Sequence, residues 1–275
     1  MPGKVYIVGA GPGSADLLTM RAVALLRAAN TVLHDDLVTG EILALAASSA
    51  RKISVGKRYG DHHHTQEQIN ALMVWHANNG ETVVRLKSGD PSIFGRLGEE
   101  LEALRRAGIE FEIVPGVTAA SAAASSAGIT LTDRRAASAL VIVTAHNCRG
   151  EGLRAAGLDP QNSTFAVYMP GPDYGRTAHD LINSGVDAST PCVLVSQAGR
   201  SSEQKCFMTL SDLPFALGVQ SPALLIVGEV ARAAQSSRST ISNQFIAQPG
   251  YEAKYIDPST ASSHTLRLLK ALIAA

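Results

Sequence analysis

The chain has 275 residues, 45% of them hydrophobic and 17% charged, with 24 Lys and Arg against 24 Asp and Glu. It can bury one large core or two medium ones, and a formal net charge of zero excludes a global basic field for nucleic acid or an anionic membrane surface. No run of about 20 apolar residues occurs, so no membrane-spanning helix is expected.

The start, Met1-Pro2-Gly3-Lys4-Val5-Tyr6-Ile7-Val8, runs straight into a strand pattern without the long apolar stretch of a signal peptide. Strand 4–9 ends in a glycine-rich turn, Gly9-Ala10-Gly11-Pro12-Gly13. Helical periodicity follows over 17–29, then a strand over 31–35 ending at paired acids, Asp35 and Asp36. A short helix is expected over 41–50, a short strand over 51–55, and an amphipathic helix over 65–79 closed by Asn79-Gly80. Residues 82–87 read as the next strand, 97–107 as a charged helix and 109–114 as a further strand. Strands alternating with helices predict a largely parallel sheet.

Residues 117–128 are rich in Ala and Ser, which allows close packing where two lobes meet. A second α/β unit is predicted from Ala139, with strands over 140–144, 164–169, 192–197 and 223–227 and a helix near 177–184. Beyond 235 the chain turns to Ser, Gln, Pro and Tyr. The expected organisation is an N-terminal α/β domain over 1–116, a C-terminal α/β domain over 117–235 and an extension over 236–275. Cys148, Cys192 and Cys206 form no CxxC pair. So sparse and odd a set fits a reducing compartment, and a cytoplasmic location is expected.

Two turns draw attention. The strand pattern Val83-Val84-Arg85-Leu86-Lys87 ends in Ser88-Gly89-Asp90-Pro91, and a helix follows at once. Ligands of open α/β sheets bind beyond the carboxyl ends of strands. The Gly9–Gly13 turn carries part of a dinucleotide-binding fingerprint, with Asp35 placed as a ribose acid would be. The third glycine of that fingerprint would fall on Ser14, and Pro12 lacks an amide just where a pyrophosphate needs donors. A dinucleotide-dependent oxidoreductase and a purely structural turn both stay open. A non-phosphate ligand approached closely by backbone fits the turn better.

Taken in order, the motifs resemble the tetrapyrrole methylase family. They are Val8-Gly9-Ala10-Gly11-Pro12-Gly13, Asp35-Asp36-Leu37-Val38, Val55-Gly56-Lys57-Arg58, Arg85-Leu86-Lys87-Ser88-Gly89-Asp90-Pro91, Ile93-Phe94-Gly95-Arg96, Val114-Pro115-Gly116-Val117-Thr118-Ala119 and Ser221-Pro222-Ala223-Leu224. The resemblance covers roughly residues 4–230 and implies two α/β domains with a cofactor cleft between them, assembled as a homodimer. It implies S-adenosyl-methionine as methyl donor, S-adenosyl-homocysteine as product and a tetrapyrrole as the small-molecule substrate. The match leans toward members that methylate uroporphyrinogen III at carbons 2 and 7 to give precorrin-2. Relatives acting on a later corrin precursor are the alternative within the family.

By position, the resemblance assigns Pro12, Ser88, Gly89, Asp90, Ile93, Thr118, Ala119, Met169, Ala198, Pro222 and Ala223 to the cofactor. It assigns Asp35 as proton acceptor, Lys57 as donor or substrate anchor, and Arg96 with Glu99 as a pair for catalysis or substrate positioning. On residues alone, Arg96 and Glu99 are equally an i, i+3 surface pair; for Asp90 the ligand role is favoured over a turn carboxylate capping a helix near Phe94. A substrate with eight carboxylates needs local cations, for which Arg21, Lys57, Arg58, Arg85, Lys87, Arg96, Arg134 and Arg135 stand in or beside the motifs. No metal is expected: adjacent side chains in His62-His63-His64 converge poorly on one ion. Ser88 stands where the family has glycine, and a Cβ there makes positive φ costly. Ser196-Gln197-Ala198-Gly199 departs further from the family pattern.

Overall fold

The structure, a computed structural model, describes residues 2–56, 64–145, 159–171 and 173–232. Two five-stranded sheets organise them. The first contains β1 (Lys4–Gly9), β2 (Thr31–His34), β3 (Arg51–Ser54), β4 (Val83–Lys87) and β5 (Glu110–Val114), in the order β3-β2-β4-β1-β5. Every pairing in it is parallel. All five residues of β4 are buried, as expected of an inner strand covered by helices on both faces. On one face Val84 and Leu86 pack with α1 (Met20–Ala28) and α2 (Gly40–Leu43); on the other Val83 packs with α3 (Gln66–Asn78) and α4 (Leu97–Arg106).

Local chemistry sets the helix ends. Thr19 accepts a hydrogen bond from the Ala22 amide at 3.1 Å, so α1 begins at Met20 rather than at 17. Thr65 and Gln68 form a capping box at the head of α3, and Gly80, at φ 79°, follows its end. The helix expected over 41–50 is confined to Gly40–Leu43. Beyond it, Leu45 and Ala46 bond back three residues, to Ile42 and Leu43, and the chain leaves the helix in turns.

The connections of the first sheet run one way from β1 and the opposite way from β4, although these strands are neighbours. Their carboxyl ends therefore form a topological switch point, where a crevice opens. Gly9–Gly13 follows β1 and Ser88–Pro91 follows β4, so both singled-out turns meet there.

The second sheet has the order β6-β7-β10-β8-β9 and comprises β6 (Ala139–Thr144), β7 (Ser163–Tyr168), β8 (Pro191–Ser196), β9 (Gln204–Thr209) and β10 (Ala223–Val227). Its pairing differs from that of the first sheet. Only β6 and β7 run parallel; β7–β10, β10–β8 and β8–β9 are antiparallel. The cause is β9, which sequence reading missed. It pairs with β8 as a hairpin at the sheet edge, so no helix crosses over between them. Only Met208 of its six residues is buried, leaving a weak alternation signal.

The Ala- and Ser-rich stretch forms α5 (Ala119–Ala127), ended by Gly128 at φ 68°. Its alanines pack against Ala166, Val193, Val195 and Ile226 of the second sheet. Opposite, α6 (Tyr174–Asn183) closes the other face through Tyr174, Ala178 and Leu181. No helix among the described residues is long and apolar enough to cross a membrane.

Candidate active site

The site starts from backbone. Gly89 donates to the Gly11 carbonyl at 2.7 Å, and Gly11 donates to the Gly89 carbonyl at 3.2 Å, which joins the β1 and β4 turns. A Cβ on Gly9 would meet Gly116 N at 2.5 Å, and one on Gly116 would meet the Gly89 carbonyl oxygen at 2.3 Å, so three turns pack glycine on glycine. Asp90 extends this tie: Oδ2 accepts from the Gly116 amide at 3.0 Å and Oδ1 from the Ser92 amide at 2.8 Å. It spans the turns after β4 and β5 and does not cap α4, whose cap position, Arg96, makes no side-chain cap bond. The left-handed residue of the turn is Gly89, at φ 67°, not Ser88. The serine therefore occupies the family's glycine position without the backbone cost expected of it.

This geometry argues against a dinucleotide cradle. The Ala10 amide donates to the Lys87 carbonyl at 2.7 Å and the Gly11 amide to Gly89, so neither faces a phosphate. The first α-helix begins only at Met20, too far along to point its amino end at this turn.

Between the two lobes lies a cleft of about 590 Å³, within the range of small-ligand sites. Pro12, Ser88, Gly89, Asp90 and Ile93 line it from the first lobe; Thr118, Ala119, Met169, Ala198, Pro222 and Ala223 line it from the second. Residues more than 200 positions apart in the chain thus share one cavity. A Cβ on Gly89 would meet nothing within 4 Å, so this glycine leaves space beside the wall.

Aromatic and backbone contacts hold the walls. The Tyr168 hydroxyl accepts from the Ala120 amide at 3.0 Å and hydrogen-bonds Thr118 Oγ1, fixing the first turn of α5. The Phe94 ring, from the first lobe, lies 5.3 Å from the Tyr168 ring. Among the described residues, four non-glycine residues adopt positive φ: Phe94, Arg96, Met169 and Gln197. The first three line the cleft and the fourth precedes Ala198, which does. Such strain costs about 1–3 kcal/mol per residue and clusters at functional sites.

Asp35 reaches the cleft from the end of β2, with its side chain 28% exposed. Arg85 Nη2 donates to Asp35 Oδ1 at 2.5 Å. Behind it, Glu100 Oε1 accepts from Arg85 Nε at 3.0 Å and from Lys87 Nζ at 2.8 Å. Glu100 is wholly buried, and its Oε2 has no hydrogen-bond partner. Burial opposes the charge on Arg85, but Asp35 and Glu100 outweigh it and raise its pKa. For Lys87, burial and the neighbouring Arg85 charge outweigh Glu100, and its pKa falls.

Arg96 lines the cleft mouth and holds Glu99 through two bonds of 2.8 and 2.6 Å. Glu99 itself does not line the cleft; both side chains are about half exposed. The Arg96 hydrogen bond lowers the pKa of Glu99. Lys57, with Arg58, His62, His63, Cys148 and the extension 236–275, falls outside the described residues. Of the remaining cations, Arg21 pairs with Glu112 and Arg135 with Asp133, and neither they nor Arg134 line the cleft. Among the described residues no group of three or more His, Cys, Asp or Glu is placed to hold a metal ion.

Three side chains escaped sequence reasoning. Tyr168 stands beside Met169, but nothing local marks its hydroxyl as a partner of Thr118 and the Ala120 amide. Glu100 had a legible signal: Arg85 and Lys87 alternate on a buried strand, so both point to one face and require an acid there. Arg200 lines the cleft from the β8–β9 connection and had no signal at all.

Fold and site together define a class: a two-lobed α/β protein with a small-ligand cleft at a switch point. The chain belongs to the Tetrapyrrole (Corrin/Porphyrin) Methylases, whose family model matches residues 4–214. It is 47% identical over 239 residues to a uroporphyrinogen-III C-methyltransferase of Paracoccus denitrificans, covering 85% of this chain and 83% of the relative. It is 44% identical to siroheme synthase 1 of Yersinia pseudotuberculosis, over 83% of this chain but 49% of that protein, so it spans about half the length of such relatives. Among solved structures, the uroporphyrin-III C-methyltransferase of Thermus thermophilus complexed with S-adenosyl homocysteine is 38% identical, with a TM-score of 0.73 over 84% of this chain and 100% of that one. A cobalt precorrin-4 methyltransferase is 30% identical, with a TM-score of 0.73 over 83% of this chain and 95% of that one.

Proposed function

We propose that this chain is an S-adenosyl-methionine-dependent C-methyltransferase that methylates uroporphyrinogen III at carbons 2 and 7, giving precorrin-2. The observation that carries the reading is that all eleven residues assigned to the cofactor from sequence line one cleft of about 590 Å³. Family membership and the named relatives support the substrate.

The cleft suits the methyl donor. Small or apolar residues, Ala119, Ala198, Pro222 and Met169, provide a wall for a flat heterocycle, and Asp90 offers a carboxylate at the turn for hydroxyl or ammonium donors. When bound, S-adenosyl-methionine supplies an electrophilic methyl on a sulfonium. The residues of the chain must align the attacking pyrrole carbon, a contribution worth about 7–11 kcal/mol at best.

After methylation a proton must leave the macrocycle. Asp35 is the acceptor in this reading: it reaches the cleft, and Arg85 sets its orientation from a buried position. Arg96 positions a substrate carboxylate at the mouth, with Glu99 bracing its guanidinium. Lys57 completes the set as donor or substrate anchor. In this division 1–116 carries Asp35, Lys57, Arg96 and Glu99, 117–235 supplies the opposite wall, and 236–275 is an extension. Pairing into homodimers and a cytoplasmic location complete the proposal.

The test is incubation of the full chain with enzymatically made uroporphyrinogen III and S-adenosyl-methionine, followed by mass spectrometry. A product heavier by two methyl groups is expected. No gain, with S-adenosyl-homocysteine still bound in calorimetry, would overturn the substrate in favour of a later corrin precursor. Absence of S-adenosyl-homocysteine binding would overturn the methyltransferase reading itself.

A further inference from the structure

Among the described residues, four cations line the cleft: Arg85, Lys87, Arg96 and Arg200. Three already face a carboxylate. Arg85 has Asp35 and Glu100, Lys87 has Glu100, and Arg96 has Glu99. Arg200 has none. The one hydrogen bond of its side chain is from Nη2 to the Leu37 carbonyl at 2.7 Å, and its Nε is buried without an acceptor.

The position is held from both sides. The Arg200 amide donates to the Gln197 carbonyl at 3.0 Å, and the Arg200 carbonyl accepts from the Glu203 amide at 3.1 Å. Glu203 is close in sequence yet engaged elsewhere: it accepts from the Gly199 amide at 2.9 Å and pairs with Lys205 at 3.1 Å. The stem of Arg200 lies along the first lobe, where a Cβ on Gly13 would meet its Cγ at 2.7 Å. The guanidinium thus bridges the lobes beside the Asp35-Asp36-Leu37 corner without a counter-charge. Burial pulls its pKa below the usual value, although a guanidinium stays protonated. A partly buried cation without a partner is costly unless an anion arrives. A fork of N–H donors selects a carboxylate.

We propose that Arg200 receives a carboxylate of a bound ligand, and so acts as a binding residue of the cleft supplied by the second lobe. The inference rests on the methyl-transfer reading for its two sources of carboxylate: the side chains of the tetrapyrrole and the methionine half of the cofactor.

Arg200→Gln and Arg200→Lys separate these sources. Calorimetry gives the S-adenosyl-homocysteine Kd, and the methylation assay gives KM for uroporphyrinogen III. Loss of a charged hydrogen bond should raise one of the two constants roughly 10- to 100-fold in R200Q. A raised KM with unchanged Kd assigns the substrate; a raised Kd assigns the cofactor. R200K keeps the charge without the fork and should recover part of the loss, which a mere clasp between lobes would not require. Should R200Q fail to fold in a thermal melt, a raised constant in R200K carries the proposal by itself. Both constants within twofold of wild type in the folded variants would overturn it. The Kd arm needs no turnover: if wild type leaves uroporphyrinogen III unmethylated, an unchanged Kd overturns the proposal and a raised one supports it, whatever becomes of the substrate reading.

Discussion

The two lobes solve the same packing problem with opposite chemistry. The first sheet buries Arg85, Lys87 and Glu100 on one face of β4, and the network they form ends at Asp35 in the cleft. The core of the second sheet holds no buried charge among the described residues; its buried polar groups are Ser163, Thr164, Thr177 and Ser196. The difference teaches where chemistry and shape are stored. Ions in an interior must be paired, so their partners orient one another closely. An apolar sheet orients nothing but presents a smooth wall, and its contributions to the cleft are mainly small residues, Met169 and the Tyr168 hydroxyl.

The comparison breaks most sharply at Asp35. Asp35→Asn should lower kcat by about 10²- to 10⁴-fold, the usual scale for a lost general base, while S-adenosyl-homocysteine affinity stays within twofold. Steady-state kinetics beside calorimetry measure both; wild-type turnover would remove the first lobe's chemical role.

Glu100→Gln comes next. It leaves two buried cations with a neutral acceptor, and the loss of stability should be about 3–5 kcal/mol in urea unfolding. The double change Lys87→Met with Glu100→Gln restores the charge balance and should recover much of that loss. A single variant as stable as wild type would show that the network is not balanced as described.

In the second lobe the corresponding cut is Tyr168→Phe. It removes the acceptor of the Ala120 amide and the partner of Thr118, and should cost about 1–2 kcal/mol, with a few-fold weaker S-adenosyl-homocysteine binding. A larger effect than that of Glu100→Gln would invert the contrast between the lobes.

The smallest effect expected is a pH dependence at the far edge of the first lobe. Burial opposes the charge on Glu81, but hydrogen bonds from Thr31 and His76 prevail and lower its pKa below 4.5. A depressed carboxyl pKa means that the unfolded chain binds the proton more readily than the native one. The stabilisation is therefore complete above about pH 4.5 and is lost as pH falls through the lower folded value. Glu81→Gln should flatten this acid limb in unfolding measured from pH 6 downward; an unchanged slope would count against it.

Much of the first lobe was legible because its signals are local. The strand pattern of Val83–Lys87, the stop at Asn79-Gly80, and the glycines at 9, 11 and 89 each announce a strand, a helix end or a turn within a few residues. The second lobe was read less well. Four of its strands stood out, but β9 shows only one buried residue and hides as an edge. The expected helix over 41–50 failed for a related reason: helical composition does not ensure that i→i−4 bonding persists once turns compete.

The site divides along the same line. The family resemblance named the residues that line the cleft, because Pro12, Gly89, Asp90, Thr118 and Ala223 stand in short contiguous motifs. That Arg85 and Lys87 need an acid was readable, but which acids answer them was not, because those partners lie elsewhere along the chain. Arg85 meets Asp35 across 50 positions and Glu100 across 15, which turned two expected substrate cations into interior ones. The sequence by itself determined the alternation of strand and turn that makes a switch-point cleft. Only the tertiary structure decided which of the cleft cations is already neutralised, since charge balance is set by distance in space, and it is there that Arg200 stands without a carboxylate.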